Sequence, residues 1–227
     1  MAHASIHLPR LTRDHTRTLW GCITRVLADS NRTEDIIVAE EIASQRQLEV
    51  LRDSGLFDHG DGAELLRDRP MLADTDLDEL RALPPGTLGR EFVDFLDRHG
   101  LDYELTRQPT PYTDDSDAAY LLHRIRQNHD LWHTLLGLGV EGYEEVLVHS
   151  FSLAQTGFPS SVLIVALGGI KHMVLEKRWT QLRKGVRHAY ALGEKAAPLV
   201  PVVWEKRWAQ PLVSVRRELG IVPYDVH

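Results

Sequence analysis

The chain has 227 residues, enough for one large domain or two small ones with a real core. Its 43% apolar and 26% charged content is that of an ordinary globular protein and excludes collagen-like and low-complexity classes. A net charge of −7 argues against nucleic acid as a partner, and the lone Cys22 excludes an internal disulfide and an all-cysteine zinc site.

The first twenty residues carry Arg10, Arg13 and Arg17 without an apolar run behind a basic start, so no secretory signal is read there. The Asp and His residues among those arginines weaken a transit-peptide reading. Asn31 to Leu51 opens with a polar cap and an acidic first turn, then runs in helix formers. Thr75 to Leu83 is expected as a short helix ended by Pro84 and Pro85. Thr87 to Arg98 follows, with Leu88, Phe92, Phe95 and Leu96 at helical spacing and Gly100 as its stop. Leu101 to Asp114, with Pro109 and Pro111, reads as an extended connector.

A long helix is expected from near Asp115, capped by Ser116 or Asp117, to Gly137, and a second from about Glu141 to Gly157. Phe158 to Leu175 is an apolar helix interrupted by Gly168, Gly169, Lys171 and His172, so it lies buried or against lipid without crossing a membrane. Glu176 to Lys195 is a polar helix and Val202 to Leu219 the last. Period-two alternation does not recur, and no internal linker stands out. The expectation is an all-α fold in a single domain, residues 1–227.

Chemistry concentrates in the long helix. At about 100° per residue, Leu122, Ile125, Trp132, Leu135 and Leu136 form an apolar arc. His129 falls inside that arc, His133 lies at its edge one turn on, and Arg126 and Asp130 flank it. Two imidazoles four residues apart can aim at one point. Residue 139 is the midpoint of the following turn, with His133 six residues before it and Glu145 six after. With a rise of about 1.5 Å per residue on both arms, the two come to similar heights and Glu145 faces His133. Against this stands the core histidine, the commoner fate of a His on an apolar helix face. Glu141 and Glu144 are rival carboxylates, and His149 is a further ligand, a group that orients one, or a core or surface residue. His129-Asp130-x-x-His133 also resembles the zincin His-Glu-x-x-His. Asp for Glu shortens the reach by one methylene and the next acid comes too soon, so a peptidase is set aside.

Ala119-Tyr120, Arg124, Arg126, His129-Asp130-x-x-His133-Thr134-Leu135-Leu136-Gly137 and Glu145 after eleven intervening residues resemble the coenzyme Q biosynthesis protein four family. Leu83 to Leu96 (LPPGTLGREFVDFL) and Trp204 to Ile221 (WEKRWAQPLVSVRRELGI) are similar to two further family stretches, the second its C-terminal helix. The likeness runs from roughly residue 12 to residue 221. It implies an all-helical, dimeric, peripheral membrane protein acting late in ubiquinone synthesis. By carry-over, His129, Asp130, His133 and Glu145 hold a divalent metal, generally taken as Zn2+; iron, manganese, cobalt and magnesium also remain open. The implied activity removes the C1 carboxylate of a polyprenylated 4-hydroxybenzoate, in some accounts with oxidation at that carbon. Arg124 or Arg126 would pair with the substrate carboxylate, and the apolar helix with Ser160, Ser161, Gly168 and Gly169 would groove the prenyl tail. The rival is a scaffold that binds isoprenoid lipid and gathers other quinone-biosynthesis enzymes. The short N-terminus and 21 Arg against 5 Lys favour a bacterial protein on the cytoplasmic side of the inner membrane over a mitochondrial one.

Overall fold

The structure is a computed structural model that describes residues 6–29, 32–103, 108–162, 164–165 and 179–224. Among the described residues it is all-helical: α1 (Arg13–Ala28), α2 (Thr33–Arg52), α3 (Gly60–Asp68), α4 (Leu77–Arg81), α5 (Leu88–His99), α6 (Ser116–Leu136), α7 (Gly142–Thr156), α8 (Trp179–Lys195) and α9 (Leu212–Leu219), with 3-10 turns at Leu72–Asp74 and Trp204–Lys206. The nearest thing to a β-strand in that set is an isolated antiparallel bridge between Thr87 and Pro211. One hydrophobic core runs from Leu48 to Ile221 through α5, α6, α7 and the C-terminal region.

The central helices follow local rules. Asp115, and neither Ser116 nor Asp117, caps α6: its carboxylate accepts the backbone N–H of Asp117 and Ala118. Gly100 ends α5 with φ 62°, in the left-handed region where glycine carries no Cβ penalty. The first N–H groups of α5 donate to the C-terminal region, Leu88 to the Gln210 carbonyl at 2.8 Å and Gly89 to that of Trp208 at 2.9 Å. Helix α2 packs on α6, and α7 packs along α8.

Two helices escape sequence reading, one expected helix is broken and one runs partly outside the described residues. The sequence reading assigns no element before Asn31, and α1 occupies Arg13–Ala28 there, capped by the Thr12 hydroxyl. Helix α3 also escapes sequence reading, since Gly60 and Gly62 are poor helix formers. The expected helix Val202 to Leu219 is broken: Pro211 has no N–H to donate, and the chain makes a 3-10 turn and a loop before α9. The apolar helix Phe158 to Leu175 is helical at 159–162 and 164–165, while Gly168, Gly169, Lys171 and His172 lie outside the described residues.

Gly62 is where α3 meets the preceding chain. A Cβ there would stand 2.1 Å from the Leu56 carbonyl oxygen and 2.9 Å from the Phe57 Cα. Both neighbours are backbone, so the clash outweighs the roughly 1 kcal/mol of helix propensity that alanine would add. Gly62→Ala is expected to destabilise by about 1–3 kcal/mol, read as a lower urea midpoint at unchanged slope. A midpoint at or above that of the unsubstituted protein would refute the close approach.

Candidate metal centre

Helices α6 and α7 form an antiparallel hairpin. Helix α6 stops because Gly137 takes φ 69°, and Leu138 N–H returns to the His133 carbonyl. Helix α7 restarts through Glu144, whose Oε1 accepts Gly139 N–H at 2.9 Å and whose Oε2 accepts Glu141 N–H at 3.0 Å. Glu144 is thus taken up by the turn, and Glu141 is exposed at the helix start. Glu145, the next residue, is the one turned toward α6.

His129, His133 and Glu145 bring ligand atoms together. The two Nε2 atoms are 3.1 Å apart, His129 Nε2 is 3.2 Å from Glu145 Oε2, and His133 Nε2 is 3.4 Å from Glu145 Oε1. Among the described residues these three form a group whose ligand atoms all lie within 4.8 Å of one another. Bonds of about 2.0–2.1 Å to a tetrahedral ion put neighbouring ligand atoms roughly 3.3 Å apart, so the separations match a shared cation. The protonation pattern agrees. His133 Nδ1 lies 2.8 Å from the Gly139 carbonyl, which can only accept, so Nδ1 carries the hydrogen and a neutral His133 presents a lone pair at Nε2. Phe95 of α5 stacks on the His133 ring at 5.6 Å between centroids and fixes its plane.

Electrostatics point the same way. Burial works against a charged His129, but the hydrogen bond and charge of Glu145 outweigh it and lift its pKa to about 8. Burial likewise opposes ionisation of Glu145, and its bonds to His129 and His133 win, holding it well below the usual carboxylate range. The cluster favours positive charge at its centre.

The other candidate residues separate. Asp130 lies outside the three-atom group, on the wall of the adjoining cavity, and burial pushes its pKa up against the pull of His129 and His133. Arg124 is wholly buried and is not at that wall: it binds Glu205 with both terminal nitrogens, at 2.6 and 2.8 Å, and reaches the carbonyls of Pro70 and Val202. The expectation that it meets a substrate carboxylate is therefore corrected: Glu205 takes both terminal nitrogens, and the Nε that has no partner among the described residues belongs to a side chain outside the cavity lining. Arg126 does line the cavity. Its Nε donates to Glu40 at 2.8 Å and Nη2 to the Ile37 carbonyl at 3.0 Å, while Nη1 is buried with no partner among the described residues.

The cavity measures about 400 Å³ and lies between α2, α6, α7 and Phe158, Ser160, Ser161 and Ile164. Ile36, Ile37, Ile125 and Phe158 supply apolar wall, and His129, Asp130 and His149 form its polar end. Sequence reading missed Glu40, Ile36 and Ile37, because α2 joins the site only through tertiary packing. It also missed the Gly139 carbonyl, a backbone group that no side-chain motif announces.

Comparison with known proteins agrees with this architecture. The ubiquinone biosynthesis protein COQ4 homolog, mitochondrial, of Bos taurus is 34% identical over 217 residues, covering 95% of this chain and 81% of the relative. The Homo sapiens homolog is 33% identical over 225 residues, covering 98% and 84%. A crystal structure of a candidate ubiquinone biosynthesis protein from Nostoc punctiforme superposes with a TM-score of 0.71 at 23% identity, covering 90% of this chain and 97% of that one, a likeness of fold. The family model for coenzyme Q (ubiquinone) biosynthesis protein Coq4 matches residues 5–225, the whole hairpin and the helices that hold it, and the chain belongs to that family.

Proposed function

We propose that this chain, folded as one domain over residues 1–227, binds a divalent ion through His129, His133 and Glu145, with Asp130 as the neighbouring carboxylate. With it the chain removes the C1 carboxylate of a polyprenylated 4-hydroxybenzoate in ubiquinone biosynthesis. The supporting observation is the meeting of three ligand atoms beside a cavity that Ile36, Ile37, Ile125 and Phe158 line in part. Zn2+ suits two imidazoles and a carboxylate with one position open, and iron, manganese, cobalt or magnesium are the alternatives, a redox metal if the step is oxidative.

When bound, the ion supplies Lewis acidity toward a substrate oxygen and a template for the ring. Arg126 receives the substrate carboxylate on Nη1, its fork held by Glu40 and the Ile37 carbonyl. Loss of carbon dioxide needs a proton at the ring carbon that bore the carboxylate. Asp130 stands at the cavity wall beside His129 and is the carboxyl placed to deliver that proton. Ile36, Ile37, Ile125 and Phe158 exclude water and take the ring and the start of the tail. No helix among the described residues is long and apolar enough to cross a membrane. We therefore place the chain peripherally on the membrane that holds its polyprenyl substrate, as a homodimer beside other quinone-biosynthesis enzymes, on the cytoplasmic face in a bacterium.

Stripping the purified protein with a chelator is expected to abolish decarboxylation, and reloading with Zn2+ or Co2+ to restore it. Full turnover by metal-free protein would end this reading. The apolar walls also suit a non-catalytic carrier of prenyl lipid with a structural ion. Stripped protein that still captures prenyl lipid, melts earlier and shows no turnover before or after reloading would favour the carrier.

A further inference from the structure

His149 stands one turn beyond Glu145 on α7, so both side chains leave the same face of that helix. Its ring centroid is 5.0 Å from that of His129, and the residue lines the cavity. It is not a member of the group whose ligand atoms converge. Its Nδ1 is buried and has no hydrogen-bond partner among the described residues. A core histidine normally finds a partner for each buried ring nitrogen, and leaving one unmet costs about 1–3 kcal/mol. The same stripe of α7 continues with Ser152 and Thr156, which also line the cavity. The α7 wall is therefore polar from the metal cluster outward, opposite the isoleucines of α2.

Resting on the metal reading above, we infer that His149 is a ligand-recognition residue. It hydrogen-bonds an oxygen of an aromatic acid bound at the ion and does not coordinate the ion itself. Arg126 on α6 and His149 on α7 then approach the ligand from the two arms of the hairpin. Each carries a nitrogen that the protein leaves unpaired. A guanidinium fixes the charge of the acid, and an imidazole reads the position of a second oxygen relative to the ion. The site would accordingly select a ring acid with a further oxygen substituent over an aliphatic acid of the same charge.

The test uses the full chain loaded with Co2+, whose visible absorption reports the ligand set, titrated with 4-hydroxybenzoate as the probe. His149→Leu and His149→Gln should bind Co2+ with the same stoichiometry and the same probe-free spectrum as the unsubstituted protein. The probe should bind His149→Leu about tenfold or more weakly, with part of that loss recovered in His149→Gln, which retains a donor. A changed probe-free spectrum in both variants would make His149 an ion ligand and overturn the inference. Unchanged probe affinity in His149→Leu would overturn it as well. Failure of the unsubstituted protein to take up Co2+ would overturn the metal reading itself, and that is seen before any variant is made.

Discussion

His133→Ala is expected to strip the purified protein of its ion and to reduce decarboxylation to background. Its Nε2 is one of three converging atoms, 3.1 Å from His129 Nε2 and 3.4 Å from Glu145 Oε1. Truncation leaves one imidazole and one carboxylate, too few to hold a dilute divalent ion. Losing a group that merely orients a ligand typically lowers metal affinity about 10–100-fold, so losing the ligand should exceed that range. The residue is also fully buried against Phe95, and alanine leaves both a void and an unpaired Gly139 carbonyl. His133→Gln, closer in volume, separates the two effects: it should recover melting temperature more than ion content. Elemental analysis showing a full complement of metal in His133→Ala would refute the site.

Arg124→Ala is expected to give the largest loss of stability. The side chain is wholly buried on α6 and clamps Glu205 with two short bonds, while also serving the carbonyls of Pro70 and Val202. Removing one partner of a buried pair typically costs 3–5 kcal/mol, about 3 here because Glu205 keeps a quarter of its side chain in water. At roughly 2–4 °C per kcal/mol for a chain of this size, the melting temperature should fall by about 6–12 °C. Arg124→Lys keeps the charge but not the planar fork, so it should recover only part of that loss. A thermal melt within about 2 °C of the unsubstituted protein would show that the pair contributes little. Because Arg124 does not line the cavity, 4-hydroxybenzoate affinity in Arg124→Lys should stay unchanged; a large loss would return it to the substrate.

The difference between these two residues shows what was legible in the sequence. The hairpin was readable because its determinants are local. A glycine-rich turn centred near residue 139 and a 3.6-residue period on either arm suffice to put Glu145 opposite His133. The start of α5 was equally plain, since Thr87 and Gly100 bracket an apolar stripe. Arg124 was misassigned because its partner lies 81 positions away, in a segment whose own structure was mistaken for continuous helix. Arg124 and Arg126 are two residues apart on α6 and so point about 200° apart, one into the core and the other to the cavity wall. Periodicity separates the two, and the distant Glu205 decides that Arg124 is the one taken up by the core. Asp130 failed to join the cluster for a related reason. It follows His129 directly, and neighbours in a helix point about 100° apart. The cavity is lined in part by α2, whose Glu40, Ile36 and Ile37 carry no signal of chemistry until the fold brings them to α6.

The C-terminal region also braces the helix that bears both histidines. Arg216 donates to the carbonyls of Leu135 and Thr134, and Tyr224 N–H to that of Leu136. Together with Glu205 on Arg124, residues some eighty positions downstream secure α6 at its middle and at its end. During synthesis, α6 and α7 leave the ribosome well before these anchors exist. A hairpin made without them has the right residues in the right order, but the carbonyls at the end of its first arm are unclaimed and Arg124 lacks its counter-ion. Closure of these long-range contacts therefore comes after the hairpin itself has been made. A chain ending upstream of residue 205 would keep His129, His133 and Glu145 but lose the hydrogen bonds that hold α6 at its middle and end.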